Sequence, residues 1–432
     1  QQGEPQPDEQ PEPPPSLPEI IVTGSLGPKG VPVVPFDSVG SRDVYGPEEV
    51  RRTGARDLND LLGYLPSLST RPYNGGEAAA PSFSIHGLPD DGLTEYILTL
   101  IDGVPANPMP YGWTALSFFP LMTEQVYAID LIRGGQAVRY SPNTVGGVLN
   151  FVTPPIPEQP TAQVQSTYGS NDYVSTLLSY GAGGGEDFGW MLSLGDRRGS
   201  GYRDEGEFDQ QSVDLKLRWL HGAESWTATK FSYMSNFHKA PGGLTVDQFS
   251  EDRYGNARPD NRFDGFRWVA DVVHHSGDDE EFVETFGWVT QTRRELTAQR
   301  PQFGEPTELR KWVDDTYVAA AGVRGQNAVD VLGGENVLYW GLRAQQEWLP
   351  SWTSDSVPIG GGPSTELMDS EYKLTAQSAH DDDSVLPIDG LLFNAGVRAE
   401  CVPNVSGEDD VMGWELDDEF FDLLPAVGAS YE

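Results

Sequence analysis

The sequence predicts a mainly β chain: a transmembrane antiparallel β-barrel preceded by a smaller α+β domain. Three observations predict the barrel. First, Val213-Asp214-Leu215-Lys216-Leu217-Arg218-Trp219 alternates without a break, apolar on one face and charged on the other, the period-two mark of a strand with two unlike sides. Second, connections come in two kinds. Some are short, as at Gly169-Ser170-Asn171-Asp172; others are long, polar and Gly/Pro-rich, as at 238–266 and 349–370. A barrel with tight turns at one rim and loops at the other is connected in this way. Third, Trp219, Trp226, Trp340 and Trp348 mark strand ends, where a lipid interface favours aromatic rings. A soluble sandwich shares the alternation; the aromatic ends favour the barrel.

Composition narrows the function. The chain has 432 residues, with 28 Lys and Arg against 66 Asp and Glu and a net charge of −38. It lacks the basic balance that phosphate binding needs, which argues against nucleic acid as a partner. Aromatic residues make up 11% of the chain, more than a disordered chain carries. The single cysteine, Cys401, excludes an intrachain disulfide framework and a multi-cysteine zinc site. No run of 18 apolar residues occurs, so no transmembrane helix is expected, whereas alternating strands escape that test. Lysine is scarce (Lys29, Lys216, Lys230, Lys239, Lys311 and Lys373). With the excess of acids, this fits a salty medium that screens self-repulsion; acidic extracellular loops are the alternative. The opening segment has neither the basic start nor the apolar core of a signal peptide, which leaves a cytoplasmic protein or one whose signal has been removed.

In chain order, residues 1–18 are a Pro-rich acidic linker, semi-extended rather than packed. The island Glu19-Ile20-Ile21-Val22-Thr23-Gly24 follows, isolated by Pro18 before it and Pro28, Pro32 and Pro35 after it. Two readings stand: a strand donated to another protein's sheet edge, or the first strand of the next domain. Residues 37–157 read as the α+β domain. Pro47-Glu48-Glu49-Val50 opens a helix with proline and acids in its first turn, and Asp57 to Leu62 forms a second helical turn ended by Gly63 and Pro66. Strands are expected at Ser82–Ile85, at Ile97–Ile101 turning at Asp102-Gly103, at Ile129–Arg133 and at Val148–Val152. From about residue 160 the barrel-type strands begin: Thr161–Tyr168, Tyr173–Tyr180, Gly189–Leu194, Val213–Trp219, Trp226–Met234, Phe282–Val289, Thr316–Arg324, Asn336–Trp348, Glu371–Gln377 and Leu391–Val402.

Two stretches carry a family resemblance: Ile129-Asp130-Leu131-Ile132-Arg133-Gly134-Gly135-Gln136-Ala137-Val138-Arg139-Tyr140, and Gly146-Gly147-Val148-Leu149-Asn150-Phe151-Val152-Thr153. With Ile85-His86-Gly87-Leu88 and Leu100-Ile101-Asp102-Gly103-Val104-Pro105 upstream, they resemble the plug domain of TonB-dependent outer-membrane receptors. Pro110-Tyr111-Gly112, Gly201-Tyr202-Arg203-Asp204, Pro241-Gly242-Gly243-Leu244 and Arg258-Pro259-Asp260-Asn261-Arg262-Phe263 resemble the ferric citrate receptor-like branch. The resemblance runs in order over about residues 19–432. It implies a TonB box at 19–24, a plug at 37–157 lying in the lumen, and part of the barrel at 160–432. The family's barrel has 22 strands. At roughly 25 residues per strand and connection, about 11 are expected here, so the chain reads as an N-terminal portion of a longer receptor. Departures are His86 in place of the usual Arg and Ser141 in place of the usual Gly.

The function implied is energised import across the bacterial outer membrane, without catalysis. The protein would be a monomer in outer-membrane lipid. TonB, driven by its inner-membrane complex, would pair with Glu19, Ile20, Ile21, Val22 and Thr23. An Fe3+ chelate would be the cargo, and no resident cofactor or metal is expected. For an anionic ligand such as ferric citrate, arginine forks suit the carboxylates. The candidates are Arg293, Arg294, Arg300, Arg310 and Lys311, read as one connection of the barrel, with Asn107, Tyr111, Trp113 and Thr114 on an apical plug loop. Asp314 and Asp315 stand where a basic residue is expected. Alternatives are a TonB-dependent receptor for another siderophore, cobalamin or an oligosaccharide, and a structural or adhesive β-protein with no transport. His274-His275 and Asp381-Asp382-Asp383 read as charged turns rather than metal sites, and no Gly-x-Ser-x-Gly elbow supports a hydrolase. The 18 residues before Glu19 cannot bury a core, so no signalling domain is expected.

Overall fold

The computed structural model describes residues 41–72, 78–85, 87–88, 96–112, 116–133, 139–140, 142–185, 187–222, 224–278, 281–301, 304–331, 334–388 and 391–431. The island Glu19–Gly24, His86, Trp113, Thr114 and Ser141 lie outside them.

The smaller domain comprises β1 (Ser41–Tyr45), α1 (Pro47–Arg52), α2 (Leu58–Gly63), β2 (Leu68–Pro72), β3 (Pro81–Ile85), β4 (Ile97–Ile101), β5 (Val104–Pro105), β6 (Ala128–Arg133) and β7 (Gly147–Val152). Proline at the start of α1 presets its first turn, and Glu49 accepts the Gly46 amide at 2.8 Å. Asp57 caps α2 by accepting the Asp60 amide, and the helix buries Leu58, Leu61 and Leu62. The main sheet runs β1-β6-β7-β4-β5; β4 and β7 are parallel and the other pairs antiparallel. β6 and β7 are buried along their whole length. Leu61, Leu62, Ile85, Ile129, Leu131, Leu149 and Phe151 make the core. The one carboxylate in β6, Asp130, is gripped at both oxygens by Arg42 of β1, at 2.8 Å each, and Asp43 meets Arg133 at 2.6 Å.

The second unit is one antiparallel sheet of 12 strands in sequence order, close to the number expected from length. Its strands are β8 (Thr161–Tyr168), β9 (Val174–Ala182), β10 (Phe188–Gly199), β11 (Phe208–Leu220), β12 (Ser225–Lys239), β13 (Arg262–Gly277), β14 (Phe282–Arg300), β15 (Glu308–Val331), β16 (Gly334–Pro358), β17 (Thr365–Ile388), β18 (Leu391–Asp409) and β19 (Trp414–Tyr431); α3 (Val246–Glu251) lies between β12 and β13. Connections alternate between two rims. The connections after β9, β11, β13, β15 and β17 fall at one rim, those after β8, β10, β12, β14, β16 and β18 at the other.

Burial shows which way the sheet faces. In β12, Lys230 is 5% exposed while its neighbour Phe231 is 42% exposed. In β11, Arg218 is 3% exposed and Trp219 37%. The charged face is covered by the smaller domain and the apolar face points out, the reverse of a soluble sandwich and the arrangement of a barrel wall in lipid. On that outer face, Tyr233, Trp268, Gln291, Tyr317 and Trp348 pair in register across β12 to β16. Trp268 Nε1 donates to Gln291 Oε1 at 2.8 Å, and Gln291 Nε2 donates to the Tyr317 hydroxyl at 3.0 Å.

Several sequence expectations are corrected. Trp226 is not an interface residue; it is buried on the inner face, stacked on His275 at 5.0 Å. His274 and His275 lie within β13, and Asp381 to Asp383 within β17, rather than in turns. Most of 349–370 is strand, with the turn confined to 359–364. Arg293, Arg294 and Arg300 belong to β14, and Arg310 and Lys311 to β15, so they do not share a loop. β13 and β19 lacked a sequence signal. The strands that were expected also run longer than their alternation shows. β16 has 25 residues, whereas a bilayer crossing takes about 9–11. Beyond the apolar band the ladder continues, but outward positions become polar and the alternation fades.

Candidate functional site

The site is the contact between the smaller domain and the inner wall, together with the rim above it. Its base is the β4–β5 hairpin. Asp102 and Gly103 have φ of 49° and 83°, the left-handed pair of a two-residue turn that Asp-Gly favours. Within the domain, Asp102 accepts the Thr153 amide at 2.8 Å and the Thr153 hydroxyl at 2.6 Å. From the wall, Lys230 Nζ reaches its Oδ2 at 2.5 Å and Lys216 Nζ approaches to 3.7 Å. Burial opposes the charge on Asp102, but the two lysines and the Thr153 hydroxyl outweigh it and hold its carboxyl well below the usual range. Lys216 also donates to the carbonyls of Thr153 and Pro154, at 3.2 and 2.8 Å. Two of the few lysines in the chain thus hold one hairpin.

Above the hairpin, Arg267 of β13 donates to the carbonyls of Pro105 and Ala106 at 2.5 and 3.1 Å. Next comes an apical clamp. Glu347 of β16 accepts the backbone amides of Tyr111 and Gly112, each at 2.9 Å, one on each oxygen. The Tyr111 hydroxyl donates to Glu400 and accepts from Arg343 at 2.8 Å, and Arg398 donates to Glu400 at 2.7 Å. A Cβ at Gly112 would lie 2.7 Å from the Tyr372 ring, so only glycine fits under that side chain without a shift. Arg139 makes a further link, to Asp382 on β17.

The predicted ligand residues are divided by this geometry. Asn107 is 3% exposed, packed beneath the surface. Tyr111 sits in the clamp. Arg267, which faces inward, pairs with Thr292; alternation then turns Arg294 inward and Arg293 outward. Arg294 is buried against Asp314 at 2.8 Å, and Arg293 pairs with Asp315 on the outer face. The two aspartates that departed from the family pattern are therefore the arginines' own partners. Lys311, 45% exposed, also lies on the outer face, 2.7 Å from Glu295. Arg300 and Arg310 do meet: they lie 5.1 and 5.7 Å from the Trp312 ring, a cation–π arrangement. Arg310 also donates to Glu308 at 2.6 Å.

Sequence reasoning passed over Asp102, Lys216, Lys230, Arg267, Arg343, Glu347 and Glu400. The available signal was charge at inward positions of an alternating strand, as at Asp214, Lys216 and Arg218. The rim loops are stapled by two further buried arginines. Arg203 donates to the carbonyls of Gly242 and Gly255, and Arg258 to those of Pro301 and Gly304.

Residues 35–148 match the TonB-dependent Receptor Plug Domain family model. The vitamin B12 transporter BtuB of Vibrio cholerae serotype O1 is 28% identical over 155 residues, which are 36% of this chain and 24% of that protein. Among solved structures, the ferric citrate transporter FecA in its unliganded form superposes with a TM-score of 0.82 at 25% identity, over 92% of this chain and 61% of FecA. The siderophore receptor PiuA from Acinetobacter baumannii gives a TM-score of 0.77 at 10% identity over 96% of this chain and 65% of that one, a likeness of fold. The matched stretch is thus about a quarter of the curated relative, and the chain spans about three fifths of FecA. These similar proteins are transporters and receptors, not enzymes.

Proposed function

We propose that this chain, whose residues 35–148 match the plug domain of TonB-dependent receptors and whose fold is similar to that of FecA, is such a receptor and imports an iron chelate of the ferric citrate kind across a bacterial outer membrane. The observation that carries the reading is the plug itself, held against the inner wall by contacts that a pull can break one at a time: Asp102 to Lys230, Arg267 to the 105–106 backbone, Glu347 to the 111–112 amides. Charged groups pair well in this confined setting, yet each bond is short-range and yields once its geometry is lost.

For the ligand, the rim pair Arg300 and Arg310 beside Trp312 offers forks to carboxylates. Arg293 and Lys311 face outward and are set aside. A chelate resting on the plug apex would press on Tyr111, and the clamp would pass that contact to Glu347, Glu400 and Arg343. The segment Glu19–Thr23 would pair as an added strand with TonB, so that force enters the plug at β1. Iron is cargo in this reading, with no resident cofactor, and the receptor works as a monomer with its apolar outer face in lipid. The likeness to a vitamin B12 transporter supports a second reading, cobalamin as cargo. Calorimetry of the purified protein with ferric citrate and, separately, with cyanocobalamin tests both. Heat with ferric citrate alone is expected; heat with cyanocobalamin alone would replace the first reading by the second.

A further inference from the structure

We propose that the wall carries its own standby ion pairs, so that the plug hairpin can withdraw without stranding charge. The inference rests on the reading that the plug moves during import. At rest two plug groups bridge to the wall side by side. Asp102 takes Lys230, and the Gln125 amide donates to Asp214 Oδ2. Withdrawal breaks both contacts and leaves an ammonium and a carboxylate on neighbouring strands. These two already lie 3.7 Å apart, Lys230 Nζ to Asp214 Oδ1. Asp214 is kept aimed by the Ser232 hydroxyl, which donates to that oxygen at 2.6 Å. What the plug abandons therefore pairs with itself.

The second lysine has a counterpart too. Lys216, Lys230 and Asp271 stand directly opposite one another in register across β11, β12 and β13, so all three point inward. Two ammonium groups face to face repel and at rest are separated by the Asp102 carboxylate. Asp271 is 6% exposed and its Oδ1 has no hydrogen-bond partner among the described residues. It borders a cavity of about 30 Å³ shared with Asp214, Lys230, Ser212, Ser232 and Gln125. That is room for one or two waters beside the Lys230 end group. Asp271 thus keeps one buried oxygen open beside the two lysines, and an incompletely paired buried carboxylate is costly unless another state of the molecule uses it. The hairpin's departure is that state: Lys230 turns to Asp214, and Lys216 shares Asp271.

Force spectroscopy on the whole receptor in outer-membrane vesicles, pulling the plug by its N-terminus, tests the proposal. The instrument supplies the load, so the outcome is independent of ligand identity and of TonB binding. Asp214→Asn keeps one carbonyl oxygen, enough for either Gln125 or Ser232, and removes the standby charge. At fixed load the plug is expected to leave about tenfold more slowly than in the unaltered protein, while Asp102→Asn leaves faster. Asp271→Asn carries the same expectation at smaller size and serves if Asp214→Asn does not assemble; Asp271→Glu, which keeps the charge, should restore the rate. Unchanged or faster withdrawal in both Asn variants would overturn the proposal, since a purely structural aspartate loosens the contact when removed.

Discussion

Lys230 shows how one side chain serves both wall and plug. It is almost fully buried, with Asp102 at 2.5 Å and Asp214 at 3.7 Å. Lys230→Met leaves Asp102 with Lys216 and the two Thr153 hydrogen bonds, and removing one partner of a buried pair costs about 3–5 kcal/mol. Amide hydrogen exchange over residues 97–105 should accelerate accordingly, while exchange in β16 and β17 stays as it was. Acid should act on the same contact. The folded Asp102 carboxyl titrates below its unfolded range, so its stabilisation is complete above the unfolded value of about 4 and fades as pH falls through the lower folded value. Exchange over 97–105, corrected for the intrinsic pH dependence, is expected to be flat from about pH 8 to 5 and to rise only below about 4; a rise near neutrality would contradict the pairing. The ligand arginines separate by face. Arg300→Ala and Arg310→Ala should each weaken ferric citrate binding by roughly tenfold, the loss of one charge-assisted hydrogen bond, whereas Arg293→Ala, on the outer face, should leave the titration unchanged.

Among the elements, β1 is the first described strand after the Glu19–Thr23 segment. It pairs with β6 over Ser41–Tyr45 and is pinned by the Arg42–Asp130 and Arg133–Asp43 ion pairs. A load on the N-terminus meets this edge strand before the rest of the plug sheet. Ile21→Pro removes a strand donor in the segment that would engage TonB. Uptake of radiolabelled ferric iron by cells carrying the variant is expected to stop, with calorimetric affinity unaltered; normal uptake would refute the box assignment. The elements legible in the sequence were those whose own residues settle them. α1 and α2 announced themselves by proline and acidic caps, β4 by the Asp102-Gly103 turn, and β11 by strict alternation. β13 was hidden because its inward positions carry Arg267, Asp271 and His275, groups that read as loop residues; only the fold shows Arg267 meeting the plug and His275 meeting Glu284 and Trp226 of the wall.

The whole molecule combines a net charge of −38 with inner-wall cations of which some, such as Lys230, Arg294 and Arg398, pair with acids and others, such as Arg218 and Arg267, hold backbone carbonyls. Acids such as Asp204, Glu205, Asp247, Glu251 and Asp252 are exposed to solvent and repel one another. Added salt should screen that repulsion, since the Debye length falls from about 10 Å at 0.1 M to 3 Å at 1 M. A thermal scan in detergent should show the melting temperature rising over that range. The buried Asp102–Lys230 contact, shielded from mobile ions, should change little. Residue order alone was enough for the fold class, the plug preceding the wall, and the approximate strand number, because alternation, turn chemistry and plug motifs are properties of neighbouring residues. The functional contacts were not legible in that way. Asp102 and Lys230 are 128 positions apart, and Tyr111 and Glu400 are 289 apart. Whether a charge in an alternating strand meets water, lipid or a plug depends on which face the sheet turns toward the smaller domain. Arg293 and Arg294 are adjacent in sequence and lie on opposite sides of the wall. Only the packing of plug against sheet separates them, because a strand's two faces are equivalent until something covers one.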